Sequence, residues 1–152
     1  MIYLNLERNI IVEQRMVSMN RILDKLPEFC LSHWLLRIPL AIIFIQQGLS
    51  KFPVTLDGAE SYDLPYIVWW FAAYGELGAG IGLILGGLAG FTVLTWLEDI
   101  ITRFSGLVIC CIMTGVIWVG EPDSLMDVIL YDNLHVLLWV GGLFFALRGK
   151  RV

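Results

Sequence analysis

Four ionisable side chains lie in or beside long apolar stretches of this sequence, and they are the first candidates for chemistry. Arg37 and Lys51 lie near the two ends of one apolar stretch, and His135 lies near the start of the last one. Glu76 is the sole charged residue between Leu64 and Leu97. Because a charge in hydrocarbon costs at least about 2.5 to 3.5 kcal/mol, Glu76 needs a partner or a proton. We predict a buried ion pair between Glu76 and Arg37, and a proton-handling or ligand-binding role for Glu76 is the alternative.

Two neighbouring glutamines provide further hydrogen-bonding groups. A quinone carbonyl needs donors in an otherwise apolar cleft, and His135 together with Gln46 or Gln47 is suited to that task. In the alternative interpretation, His135 is an interfacial residue bonded to a loop carbonyl. The two histidines, His33 and His135, lack acidic or cysteine companions, so we predict no metal site. The expected ligands are quinone or lipid, with no covalently bound cofactor.

Motifs of soluble enzymes are not recognisable in the sequence. The glycines lie in apolar helical segments and lack the strand context of a phosphate-binding loop or a nucleophile elbow. We therefore predict no catalytic residue, and an accessory role without intrinsic activity.

Composition indicates that lipid is the solvent for most of the chain. Of its 152 residues, 58% are hydrophobic and 16% are charged, and the mean hydropathy is +0.77. Soluble domains carry about 25% charged residues. The net charge of -4, with the basic residues mostly near the termini, argues against nucleic-acid binding.

The apolar stretches predict an all-α membrane protein, a bundle of four transmembrane helices within a domain of residues 31–152. A polar turn at Glu98 and Asp99 is expected between the second and third spans. Residues 1–30 are predicted to form an amphipathic cytoplasmic or interfacial helix, since their apolar residues recur at spacings of three and four. The expected spans are Leu31–Phe52, Tyr66–Leu88, Phe104–Gly120 and Asn133–Leu147.

Lysine and arginine positions predict the orientation in the membrane. Basic residues precede the first span, lie in the second connection and follow the last span, and positively charged flanks are retained in the cytoplasm. We therefore expect both termini in the cytoplasm, in a bacterial inner (plasma) membrane. The flanking residues are Arg8, Arg15, Arg21, Lys25, Arg103, Arg148, Lys150 and Arg151.

The second span carries a repeated small-residue pattern, which predicts close helix packing. Glycines at every fourth position let two helix backbones approach each other where lipid offers no hydrophobic drive for association. The glycines of this pattern are Gly78, Gly82, Gly86 and Gly90.

Two segments resemble the DoxX-like membrane family. In LLRIPLAIIFIQQGLSKF, the residues Arg37, Gly48 and Lys51 match the arginine, glycine and lysine that recur along that family's first helix. In GELGAGIGLILGG, Glu76 matches the glutamate that precedes a glycine-rich apolar run.

The resemblance covers roughly Leu31 to Arg151, because Tyr131 to Gly149 is similar to the family's last helix. Residues 89–101 look like an insertion. The resemblance implies a four-helix bundle whose relatives include membrane subunits of quinone-linked oxidoreductases, partners of redox enzymes and cargo receptors. Since these relatives share no single chemistry, the fold alone assigns no substrate.

Three functions remain open at this point. The first is a membrane subunit or anchor of a redox-linked complex, with a quinone cleft. The second is a non-catalytic scaffold or assembly subunit. The third, a small transporter, is the least favoured because no inverted repeat is visible. The expected partners are the bilayer and either other membrane subunits or further copies of the chain.

Overall fold

The computed structural model describes residues 32–89 and 95–149, and the regular elements in these ranges are all helical. The helix predicted for residues 1–30 lies outside the described residues, as does Gly90. The helices are α1 (Trp34–Ser50), α2 (Leu56–Glu60), α3 (Tyr66–Ala89), α4 (Thr95–Val119), α5 (Leu125–Tyr131) and α6 (Asn133–Arg148).

Helix α4 begins earlier than the sequence predicted. Glu98 and Asp99 lie in its first turns, so the prediction of a polar turn at these residues is wrong. Glu98 lies where the helix dipole favours a negative charge. Asp99 accepts a hydrogen bond from Arg103 Nε at 2.9 Å, an i,i+4 pair that stabilises a helix rather than a turn.

Two short helices, α2 and α5, lie in the connections between longer ones. Thr55 caps α2 by accepting a hydrogen bond from the Gly58 amide, and Ser124 caps α5 through the Asp127 amide. Helix α5 is bent by 98° from α6, so it does not extend α6 in a straight line.

The long helices pack in chain order around a common core. Helix α3 packs against α1 and α4, and α4 packs against α6, whereas α6 touches α1 more sparsely. We call the end that carries α2 and α5 the loop end. Core residues at helical spacing fill the interior: Leu40, Ala41, Phe44, Ala79, Leu83, Ile109, Met113, Leu138 and Phe145.

By length and composition, α3 and α4 can each cross a membrane, and α5 with α6 makes a third span if the bent pair counts as one. Helix α1 is apolar but has only 17 residues. At 1.5 Å per residue it is about 25 Å long, somewhat less than a hydrocarbon core of about 30 Å. The described helices therefore provide two spans, or up to three.

The glycines of the predicted packing pattern do not share one interface within the chain. A Cβ on Gly82 or Gly86 would meet the side chain of Ser105 or Thr102 of α4. A Cβ on Gly78 would meet no heavy atom within 4 Å. Gly78 is exposed, so it faces away from the core.

Candidate functional site

A buried ion pair joins α1 to α3 near the loop end. Lys51 Nζ lies 2.5 Å from Glu76 Oε2, and the two side chains are 15% and 4% exposed. Lys51 Nζ also donates to the Gln47 carbonyl at 3.3 Å. The predicted pair between Glu76 and Arg37 is therefore wrong, because Lys51 takes the place that we assigned to Arg37.

A close backbone approach sets this pairing. Gly48 packs against Leu77, and a Cβ on Gly48 would lie 2.7 Å from the Leu77 amide nitrogen. Since α1 and α3 run in opposite directions, this contact brings Lys51, at the C-terminal cap of α1, level with Glu76. Arg37 lies eleven residues before Gly48, about 16 Å along the helix, which is too far to reach Glu76.

Arg37 instead links four helices at the other end of the core. Its side chain is 0% exposed, and Nη1 donates to the Leu83 carbonyl at 2.6 Å and to Thr102 Oγ1 at 3.2 Å. The guanidinium carbon lies 4.8 Å from the Phe145 ring centroid, a cation–π contact. Arg37 of α1 therefore contacts α3, α4 and α6 together, which is a structural role.

A cleft of about 980 Å³ lies beside the ion pair, toward the loop end. Its polar side chains come from α1 and the connection that follows it, with one each from α3, α4 and α6. Such a cavity, apolar with a few convergent polar groups, is typical of a small-molecule site. Its polar and ionisable lining includes Gln47, Ser50, Lys51, Ser61, Tyr62, Glu76, Thr114 and His135.

An indole ring forms part of the cleft wall next to the ion pair. Trp69 is 6% exposed, and Lys51 Nζ lies 5.5 Å from its ring centroid. The Tyr62 ring stacks on it at 5.1 Å. A Cβ on Gly58 of α2 would lie 3.1 Å from Trp69 Nε1, so α2 covers this ring closely. Trp69 shields one side of the ammonium from water.

Comparison with protein families assigns the chain. The DoxX family model matches residues 33–122, more than half of the chain and the whole of α1 to α4. The chain belongs to the DoxX family. Its apolar helices agree with an integral membrane protein. Comparisons with curated proteins and with solved structures found no match.

The DoxX match is shorter than the resemblance in the sequence indicated. It ends at residue 122, before α5 and α6, and it includes the stretch 89–101 that we interpreted as an insertion. The segment around Arg37, Gly48 and Lys51 and the segment around Glu76 both lie inside it.

The structure brings some of the predicted site residues together and separates others. Gln47, Lys51, Glu76 and His135 all line the cleft of this DoxX protein. Gln46 is exposed and is not part of the cleft lining. Arg37 also lies outside the lining, in the core described above.

His135 is held by a carboxylate rather than by a loop carbonyl. Its Nδ1 lies 2.5 Å from Asp132 Oδ1, and both side chains are about one-third exposed. Because a carboxylate accepts, this contact fits a ring with the proton on Nδ1. The interpretation of His135 as bonded to a carbonyl is therefore wrong.

Three neighbours of the site were missed in the sequence, namely Trp69, Tyr62 and Thr102. A signal was present for Trp69, which lies seven residues before Glu76 and therefore on the same helical face. Trp69 is buried, so it packs inside the protein rather than on the lipid-facing surface. Nothing in the sequence connects Tyr62 with Trp69, or Thr102 with Arg37, because both contacts depend on tertiary packing.

His33 precedes α1, outside the apolar helix. Burial lowers the pKa of His33, and the positive charge of Arg37 lowers it further. Its Nδ1 is buried and has no hydrogen-bond partner among the described residues. The folded protein therefore favours the neutral imidazole.

Proposed function

We propose that this protein is a membrane subunit or anchor of a redox-linked complex that binds a quinone in the cleft. The observation that supports the proposal most is the arrangement of the cleft lining. Lys51, Glu76, Gln47 and His135 lie on a wall that is otherwise mostly apolar. A quinone needs the same combination, hydrogen-bonding groups for its carbonyls and apolar walls for its ring.

The cleft lining provides both a hydrogen-bond donor and a hydrogen-bond acceptor for a ligand. Lys51 has three N–H donors, and two of them point to Glu76 and to the Gln47 carbonyl. One donor remains for a ligand carbonyl. In the tautomer with the proton on Nδ1, Nε2 of His135 is an acceptor, suited to the hydroxyl of a reduced quinone. Electron carriers other than quinone would belong to partner subunits.

The proposal includes four crossings with both termini in the cytoplasm of a bacterial inner membrane. In this arrangement α1 crosses with local thinning of the bilayer or with its flanks at the headgroups. Helix α6 supplies the fourth crossing, and α2 and α5 lie on the outer side. The distribution of lysine and arginine supports this orientation, because the two connections at the loop end and the residues beside them carry no arginine and a single lysine, Lys51.

Purification from native membranes tests the function. We expect quinone to be extracted with the protein, and Gln47→Ala and His135→Ala each to lower the molar ratio of quinone to protein. Gln46→Ala is the matched control, since the adjacent glutamine does not line the cleft. Equal quinone content in all of these variants, or its absence from the wild type, would refute the proposal.

A non-catalytic scaffold is the second candidate. It is favoured by the open face of α3 around Gly78, where a small residue leaves room for another helix. The same purification separates the two candidates. Stoichiometric partner subunits without quinone would favour the scaffold, and Gly78→Leu would then displace those subunits.

A further inference from the structure

Two chemically different sets of residues line the cleft. Lys51 and Gln47 of α1 and His135 of α6 are polar. Val68 and Phe71 of α3 with Gly115 and Trp118 of α4 form a mainly apolar set. We call these last four residues the lateral opening.

The lateral opening is exposed and apolar. Phe71 is 64% exposed and Trp118 is 81% exposed, although both line the cleft. A Cβ on Gly115 would meet no heavy atom within 4 Å, so the space beside this glycine is open. In a membrane protein, such apolar side chains contact lipid rather than water.

The gap between α3 and α4 lies on the loop-end side of a closer contact. A Cβ on Gly75 would lie 3.1 Å from the Ile112 side chain, so the two helices touch there. Phe71 lies one helical turn beyond Gly75 toward the loop end, and Gly115 lies about one turn beyond Ile112. Phe71 and Gly115 are both exposed there, so the two helices cover these positions less closely than Gly75 and Ile112.

The charges around Lys51, Gln47 and His135 restrict which ligand headgroup can bind beside them. Lys51 is paired with Glu76, and His135 lies beside Asp132; among the described residues, no other lysine, arginine or histidine lines the cleft. The two connections at the loop end, residues 52–65 and 120–132, carry seven acidic residues and no lysine or arginine. An anionic headgroup, such as the phosphate of a phospholipid, is therefore disfavoured relative to a neutral one. The acidic residues are Asp57, Glu60, Asp63, Glu121, Asp123, Asp127 and Asp132.

From these observations we infer that the ligand is a neutral quinone that carries a hydrocarbon tail. Its headgroup lies beside Lys51, and its tail passes through the lateral opening over Gly115 into the bilayer. The inference rests on the proposed function and adds the class of quinone and its orientation.

A pair of glycine variants tests the orientation. Gly115→Phe places a ring in the lateral opening, and Gly78→Phe places the same ring on an α3 face outside the cleft lining. A Cβ at either position would meet no heavy atom within 4 Å, so both substitutions are compatible with the fold. The probes are decylubiquinone and its tailless analogue 2,3-dimethoxy-5-methylbenzoquinone. Binding is measured by quenching of tryptophan fluorescence in lipid nanodiscs.

We expect Gly115→Phe to weaken binding of decylubiquinone by about tenfold or more, because ring and tail compete for one space. The tailless quinone should bind the wild type and Gly115→Phe with affinities within about twofold, since it leaves the lateral opening empty. Gly78→Phe should bind both probes like the wild type. If Gly115→Phe folds poorly by circular dichroism, Gly115→Leu provides the same comparison with a smaller side chain.

The outcomes distinguish quinone binding from the orientation of the bound quinone. If the wild type binds neither quinone saturably, the proposed function fails and the inference fails with it. If the wild type binds both probes and Gly115→Phe weakens both equally or neither, the orientation is wrong while quinone binding stands.

Discussion

Removal of either partner of the ion pair between Lys51 and Glu76 should destabilise the protein, but by different amounts. Lys51→Met leaves the Glu76 carboxylate, 4% exposed, without its cation. Breaking a buried pair from one side costs about 3 to 5 kcal/mol. Glu76→Gln leaves an ammonium that is 15% exposed on a flexible stem at the end of α1. That ammonium can turn toward the headgroups, so we expect a loss of about 1 to 3 kcal/mol.

The double variant Lys51→Met/Glu76→Gln completes a thermodynamic cycle. It leaves no buried charge, so its loss should be smaller than the sum of the single losses, with a coupling of about 0.5 to 3 kcal/mol. The free energy of unfolding is measured by titration with sodium dodecyl sulfate in mixed micelles, followed by circular dichroism.

Asp99→Asn is the control for this cycle. It alters the pair with Arg103, whose side chains are 37% and 36% exposed, and should cost no more than about 1 kcal/mol. The reasoning is refuted if Lys51→Met costs no more than the control, or if the single losses add without coupling.

Three further predictions follow from the packing and the electrostatics. Arg37→Lys should lower the free energy of unfolding by about 3 kcal/mol, because a lysine ammonium cannot reproduce the contacts of the guanidinium with two helices. A free energy of unfolding within about 0.5 kcal/mol of the wild-type value would contradict this prediction. Gly106→Ala should cost about 1 to 3 kcal/mol, because its Cβ would lie 2.5 Å from backbone atoms of α6, whereas Gly78→Ala should be neutral or stabilising. His33, with its lowered pKa, binds fewer protons in the folded state, so the thermal midpoint should fall as pH decreases from about 7 to 5, and His33→Gln should reduce that slope. An identical slope in His33→Gln would assign the pH dependence to other groups.

The helical periodicity of the sequence accounts for the buried face of α1. Arg37, Ala41, Phe44 and Gly48 recur at steps that return to one side of a helix, and all four are buried. The predicted start of α3 at Tyr66 also agrees with the structure, because Pro65 and the polar residues before it interrupt the apolar run. Periodicity and helix-breaking residues were sufficient for these two features, because the buried face of α1 and the start of α3 depend on residues close together in the sequence.

The pairing of Glu76 was not predictable in the same way. It depends on the register between α1 and α3, and that register is set by the contact of Gly48 with Leu77. Without that register, Arg37 was predicted as the partner of Glu76 in place of Lys51. The existence of the cleft also depends on how several helices and the first connection pack together, which periodicity does not encode.

The burial of Arg37 has a consequence for biogenesis. During synthesis α1 leaves the ribosome before α3 and α4, and the Arg37 guanidinium then has neither the Leu83 carbonyl nor the Thr102 hydroxyl within reach. The aromatic ring that covers it belongs to α6, which emerges after all the other described helices. The nascent chain must therefore keep this cation hydrated, or within the insertion machinery, until α6 has emerged. A truncated product without α6 would expose an incompletely covered charge, a feature by which membrane quality control can distinguish unfinished chains from finished ones.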